Sequence, residues 1–327
     1  MPERRGSSSQ SNGVTKTLRR GLGVETLIAY PEAIDLQNPP RAYCITGDGE
    51  AWGPLWPYFP EQPQVGYRPP GQVTLSGTLL QTVENICPGF GIETPTLQAG
   101  EYYPRIARVE CLMLELGPCV PKVADTPYFN SFIGSLQQVE TLFDSLSSLL
   151  RVTHPEQDNL KAYGGAMRDL IILACTEVEA QWKGVLKANN LTARKGRYTT
   201  EDYVRLLPAM KLDAYRVELM RYPGLPELMP FADWSTGQPT QSLGWYDVYN
   251  KVKHGRETNF KEATLGNAII AVAACVVMLA AQFGYETLQD YQFKNLFRFA
   301  DIPKWDPKEW YYGRIPGVQW KPVNCPM

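Results

Sequence analysis

From Ala268 to Ala281 the chain runs fourteen residues without a polar side chain. A membrane-spanning helix needs about 20 such residues, so this run is too short for one. A helix apolar on every side has to be surrounded by other parts of the protein. Ala271, Ala273, Ala274, Ala280 and Ala281 keep it slim and let neighbours approach closely. Gly284, just beyond it, suits a helix C-terminal cap. The sequence therefore predicts a helical core built around this segment, with other segments supplying its packing partners.

Two long partners are legible. Thr126-Pro127 reads as an N-cap followed by proline in the first turn. Phe132, Leu136, Val139, Leu142, Phe143, Leu146 and Leu149 then recur at helical spacing over Phe129 to Leu150. His154 before Pro155 marks the boundary. The next helix is predicted over Asp158 to Asn189, with Met167, Ile171, Cys175, Val178, Trp182 and Val185 as its apolar stripe. Arg168 and Glu179 lie eleven residues apart and so share one edge of that stripe, while Glu177 is expected to face solvent. Charges on the margin of a buried face are usually paired or functional, and a structural ion pair is the plainer expectation here.

A shorter helix precedes the apolar one. On a helical wheel Trp245, Val248, Tyr249 and Val252 fall on one side, and Asp247, Asn250 and His254 on the other. Asn250 and His254 are four apart and can touch. Lys251 and Lys253 flank them and Arg256 follows in the turn. A solvated face ending in cations favoured by the helix dipole explains this composition as well as a site does.

The remainder is less regular. Residues 1–20 are rich in Ser, Arg and Gly and read as a disordered basic tail. Residues 21–125 are dense in Pro and Gly, with strands predicted at Glu25 to Tyr30, Gln72 to Leu80 and Ile106 to Leu116. Residues 190–242 form an insertion in which Thr199 and Thr200 cap a short helix, and long insertions of this kind are often functional. Residues 285–327 read as an extended aromatic arm. The fold class expected is α+β, mainly α: a helical domain over 126–284 preceded by a β-containing region.

The 327 residues carry a formal net charge of −2, which is no global nucleic-acid signature. Charge is nevertheless uneven, with nine Lys/Arg against four acids between Lys183 and Arg221. Seven cysteines without a C-x-x-C pair suggest a reducing compartment, and Cys175 and Cys275 sit in apolar runs as core residues. Met1 to Gln10 is polar and no apolar stretch follows, so no secretory signal is expected and the chain reads as cytoplasmic. No phosphate-loop, nucleophile-elbow or H-E-x-x-H pattern occurs. With two histidines, His154 and His254, neither a hydrolase triad nor a zinc site is expected, and no cofactor is implied.

Tyr249-Asn250-Lys251-Val252-Lys253-His254-Gly255 resembles the Arg-Asn-x-x-x-His-Gly turn that domains of the HEPN superfamily carry before their last helix. It is also similar to the turn of a group of uncharacterised bacterial proteins. The flanking helices fit that layout over residues 126–284, roughly half the chain. The resemblance implies a HEPN-like bundle that cleaves RNA without metal at a homodimer groove, often within phage-defence or toxin–antitoxin systems. His254 would match the catalytic histidine and Asn250 the polar position of the motif. Lys251, Lys253 and Arg256 would hold phosphate, with Asp247, Tyr249, Arg168 and Glu179 in support. Tyr249, Val248 and Asp247 stand where the family places its arginine, so Arg256, Arg168 or Lys253 would have to supply that cation. Metal-free cleavage needs a group that moves protons near neutrality and cations on the phosphorane, and His, Lys and Arg meet both needs. The alternative is a non-catalytic HEPN-like scaffold or sensor that binds nucleic acid or a partner protein.

Overall fold

The computed structural model describes residues 26–30, 42–46, 50–57, 71–72, 77–86, 91–98, 100–108, 111–113, 117–118, 126–285, 288, 291–311 and 320–327. The predicted basic tail lies outside them. Within them the protein is α+β and mainly α.

The apolar run forms helix α8, Leu265–Phe283, and Gly284 ends it with φ of 90°. Only Gly or a strained residue sits there readily, which accounts for the stop. Thr264 opens the helix by accepting the Asn267 amide. α8 is the one described helix long and apolar enough to cross a membrane, and 83% of its most apolar window is buried within the protein, as in a core helix. Three helices surround it: α2 (Phe129–Val152), α3 (Gly165–Ala188) and α6 (Gly244–His254). Small residues set the closest approach, since the Cys275 thiol reaches the Ala174 carbonyl at 3.3 Å. Cys175 and Cys275 are both fully buried free thiols.

α2 follows its predicted span. The helix expected from Asp158 does not start there. A 3-10 turn covers Asn159–Lys161, Tyr163 bridges to Thr264, and α3 begins only at Gly165. Gly164 is fully extended, so the chain crosses α8's start before it coils. Glu177 is not the solvent-facing residue expected either. It is half-buried, accepts from Gln181 Nε2 at 2.8 Å and bonds Ser135 of α2. α2 packs over the side of α3 that a one-helix wheel assigns to water.

The insertion is folded rather than loose. Thr199 and Asp202 form a capping box at α4 (Thr200–Tyr203), and α5 (Leu206–Met210) follows. Phe231 and Trp234 then pack against Trp182, with Trp182 and Trp234 stacked at 4.9 Å. This segment completes the core around Trp182 of α3.

The N-terminal strands are β1 (Thr26–Tyr30), β2 (Ala42–Thr46), β3 (Glu50–Pro57), β4 (Gly71–Gln72), β5 (Gly91–Glu93), β6 (Glu101–Tyr102), β7 (Cys111–Met113) and β8 (Gly117–Pro118). All but β6 form one antiparallel sheet in the order β5-β1-β2-β3-β7-β8, with β4 also on β3. Among the described residues of the strand expected at Gln72 to Leu80, Gln72 ends β4 and Leu79 opens α1 (Leu79–Ile86), whose Leu79 and Val83 repeat at helical spacing. Among the described residues of the strand expected at Ile106 to Leu116, β7 is strand and 106–108 are not, just after Arg105 turns the backbone left-handed. Two small pairs complete the described fold. β9 (Arg216–Leu219) pairs with β10 (Phe297–Asp301), and β11 (Lys321–Pro322) runs parallel to β6.

Candidate functional site

The α6 wheel is realised. Trp245, Val248, Tyr249 and Val252 are buried, as is Tyr246, while Asp247 and Asn250 are half-buried and His254 is exposed. His254 is the last residue of α6. Gly255 separates it from α7, Arg256–Asn259. A Cβ on Gly255 would lie 2.6 Å from Asn259 Nδ2 and 3.2 Å from the Lys251 carbonyl, so the corner is tight. The imidazole of His254 therefore stands on a fixed helix end, and it has no hydrogen-bond partner among the described residues.

The polar face beside it is largely self-satisfied. Asn250 Nδ2 donates to the Tyr246 carbonyl at 3.2 Å rather than to His254. Lys251 sits between Asp247 and Glu262, 3.1 Å from each, and these bonds raise its pKa. Lys253 donates to the Tyr249 hydroxyl at 2.8 Å and lies over that ring, and this bond raises its pKa in turn. The side chain of Arg256 lies outside the described residues.

Arg168 and Glu179 do share one edge of α3, as their spacing requires, and that edge faces α6. Arg168 Nε donates to the Val252 carbonyl at 3.3 Å, in the last turn of α6. Its guanidinium also pairs with exposed Asp169 at 3.2 Å. Glu179 Oε1 accepts from the Tyr246 hydroxyl at 2.6 Å, one and a half turns earlier. Burial first, and the Glu179 carboxylate second, push the Tyr246 phenol far above its ordinary value. Glu179 is therefore held by a phenol and not by the expected ion pair. Between the two contacts α6 is pinned onto α3 at both ends.

Among the described cations named for the place of the motif's arginine, Arg168 is the one that reaches the last turn of α6 from another helix. Sequence reasoning passed over Tyr246, although its place one residue from the Trp245 stripe is where a phenol can be buried and still reach a carboxylate. Among the described residues no three His, Cys, Asp or Glu side chains gather to hold a metal. No family model matches the chain, and neither a curated protein nor a solved structure does.

Proposed function

We propose that this chain is a HEPN-like domain whose α6–α7 corner acts on RNA without a metal, as an effector of a bacterial defence or toxin system. His254 is the acid/base, Arg168 the cation that meets phosphate, and Lys253 its neighbour on the same turn. The observation that carries this reading is Arg168 reaching from α3 to the last turn of α6. It brings a guanidinium from another helix to the turn of α6 that ends in His254, a cation that the α6 sequence itself lacks at the motif position. One corner holds one histidine, whereas the reaction needs a proton taken from the 2′-OH and another given to the 5′-oxygen. A homodimer apposing two such corners provides both.

Cleavage of a mixed tRNA and mRNA pool, with chelator present, tests this reading. His254→Ala is expected to lose about 10²–10⁴-fold in rate, with the mass from light scattering unchanged. Cleavage equal to wild type in that variant removes His254 from the chemistry.

A specific observation supports a second reading, that of a non-catalytic scaffold or sensor. Asn250 and Lys251 are taken up within the fold, and an arginine donated to the last carbonyls of a helix is also an ordinary C-terminal cap. On this reading RNA or a partner protein binds and survives intact, and Arg168→Ala changes stability alone.

A further inference from the structure

At the far end of α3 a second arginine is placed differently. Arg105 has a left-handed backbone, with φ of 56°, a conformation unfavourable for a residue with a Cβ. The loop holding it is pinned on all sides. Asn189 Nδ2 bonds the Pro104 carbonyl at 2.8 Å, the buried Tyr311 hydroxyl bonds the Ile106 carbonyl at 2.7 Å, and the Ala107 amide bonds the Ala281 carbonyl at 2.8 Å. The guanidinium enters the helix bundle over the Phe283 ring and donates from Nε and Nη2 to Gln282 Oε1. Gly184 makes room for it, since a Cβ there would lie 2.1 Å from Nη1.

Among the described residues no carboxylate pairs with Arg105 and Nη1 has no acceptor. Glu177 acts on it only at longer range, and burial pulls its pKa down to about 10. The charge is thus kept, half-desolvated, with a neutral amide as its only bonded partner. It lines a pocket of about 500 Å³, within the range of small-molecule sites. Lys187, also without a bonded partner, stands on the same wall, with Tyr128, Ser131, Asn190 and Asn324 around it. Tyr128 and Ser131 bring the start of α2, which no side chain caps, to the pocket. A 24-residue helix places partial positive charge there. The opposing carbonyls at the end of α3 are already met by the amides of Asn189, Asn190 and Leu191.

We infer that this pocket binds a small molecule through a phosphate group, with Arg105 Nη1, Lys187 and the α2 N-terminus as its anion-holding side. Donors converging from three separate elements suit a tetrahedral oxyanion with several terminal oxygens better than a planar carboxylate. Arg168 and Lys187 are nineteen residues apart on α3, so the pocket lies roughly 30 Å from the His254 corner at 1.5 Å per residue, and its ligand is independent of the RNA reading.

Calorimetric titration of the full chain with inorganic phosphate, adenosine monophosphate and succinate tests the inference. A phosphate compound is expected to bind one to one and to raise the melting temperature, with succinate at least about tenfold weaker. Losing a charged hydrogen-bonding partner costs a factor of about ten or more, so Arg105→Gln and Lys187→Glu should each weaken binding by at least that. Lys187 is exposed in the last turn of α3, so without ligand Lys187→Glu should melt only slightly below wild type, and its loss of binding is not a loss of the fold. Absence of binding by both phosphate compounds at millimolar concentration, wild-type affinity in Lys187→Glu, or succinate binding as tightly as phosphate would each overturn it.

Discussion

Arg168 and Arg105 meet opposite ends of the same helix, and each donates to a group near the end of another helix. Arg168 caps a backbone carbonyl of α6, keeps a carboxylate beside it, and is partly exposed. Among the described residues Arg105 bonds only the amide of Gln282, lies over the Phe283 ring and sits in a left-handed backbone against a glycine. The first arrangement is inexpensive, because solvent and Asp169 share the charge. The second is costly without something else to meet the charge. Two arginines in one bundle thus differ not in type but in what their surroundings leave undone.

The contrast can be broken at several points. Gly184→Ala should have the largest effect, because the new methyl overlaps Nη1 and either the guanidinium or α3 must shift. Overpacking of this kind costs about 1–3 kcal/mol, set against about 1 kcal/mol that alanine gains over glycine inside a helix, so a net fall is expected, readable as a lowered urea midpoint. Arg168→Ala should cost no more than about 1 kcal/mol, the worth of one exposed cap and ion pair. A loss as large as that in Gly184→Ala would erase the distinction between the two ends. Gly134→Ala provides a smaller shift of opposite sign. Gly134 lies inside α2 with nothing within 4 Å of its would-be Cβ, so stability should rise by about 0.4–1 kcal/mol.

The last test is a slope rather than a midpoint. Burial is the chief cause that raises the Glu177 pKa, against hydrogen bonds from Gln181 and Ser135 and the charge of Arg105. A carboxyl raised in the folded state binds its proton more tightly there than when unfolded. Its contribution is therefore fully present below the ordinary carboxylate range and is lost as pH rises through the folded value. Wild type should lose stability over that window, and Glu177→Gln, which can still accept from Gln181, should lose less. Parallel curves for the two proteins would mean that Glu177 titrates as if in water.

The sequence showed the helices best where burial is one-sided or total. α2, α6 and α8 follow from apolar spacing and from Gly284. The pairing of Arg168 and Glu179 on one edge was also legible, since eleven residues make almost three whole turns. Their partners were not, because a wheel says which way a side chain points and nothing of what it meets. Glu177 shows the same limit, since only the arrival of α2 turns its exposed side into an interface. The Arg105 pocket is assembled from residues near 105, 130, 187 and 323, and no local pattern joins them. One signal was present, however. Gln282 follows fourteen apolar residues without a break, and a lone amide at the end of such a run has to find a partner inside the protein.

The central helix of the bundle is also the last of its four in chain order. On the ribosome α2, α3 and α6 are therefore made before the helix that covers their apolar sides exists. Until Phe283 has emerged the sides of α2, α3 and α6 that meet α8 stay uncovered, and sticky intermediates are the natural hazard of that interval. Folding of this domain is timed by its C-terminal third, so a stalled or shortened chain ending before Leu265 is a substrate for chaperones and proteases rather than a smaller version of the protein.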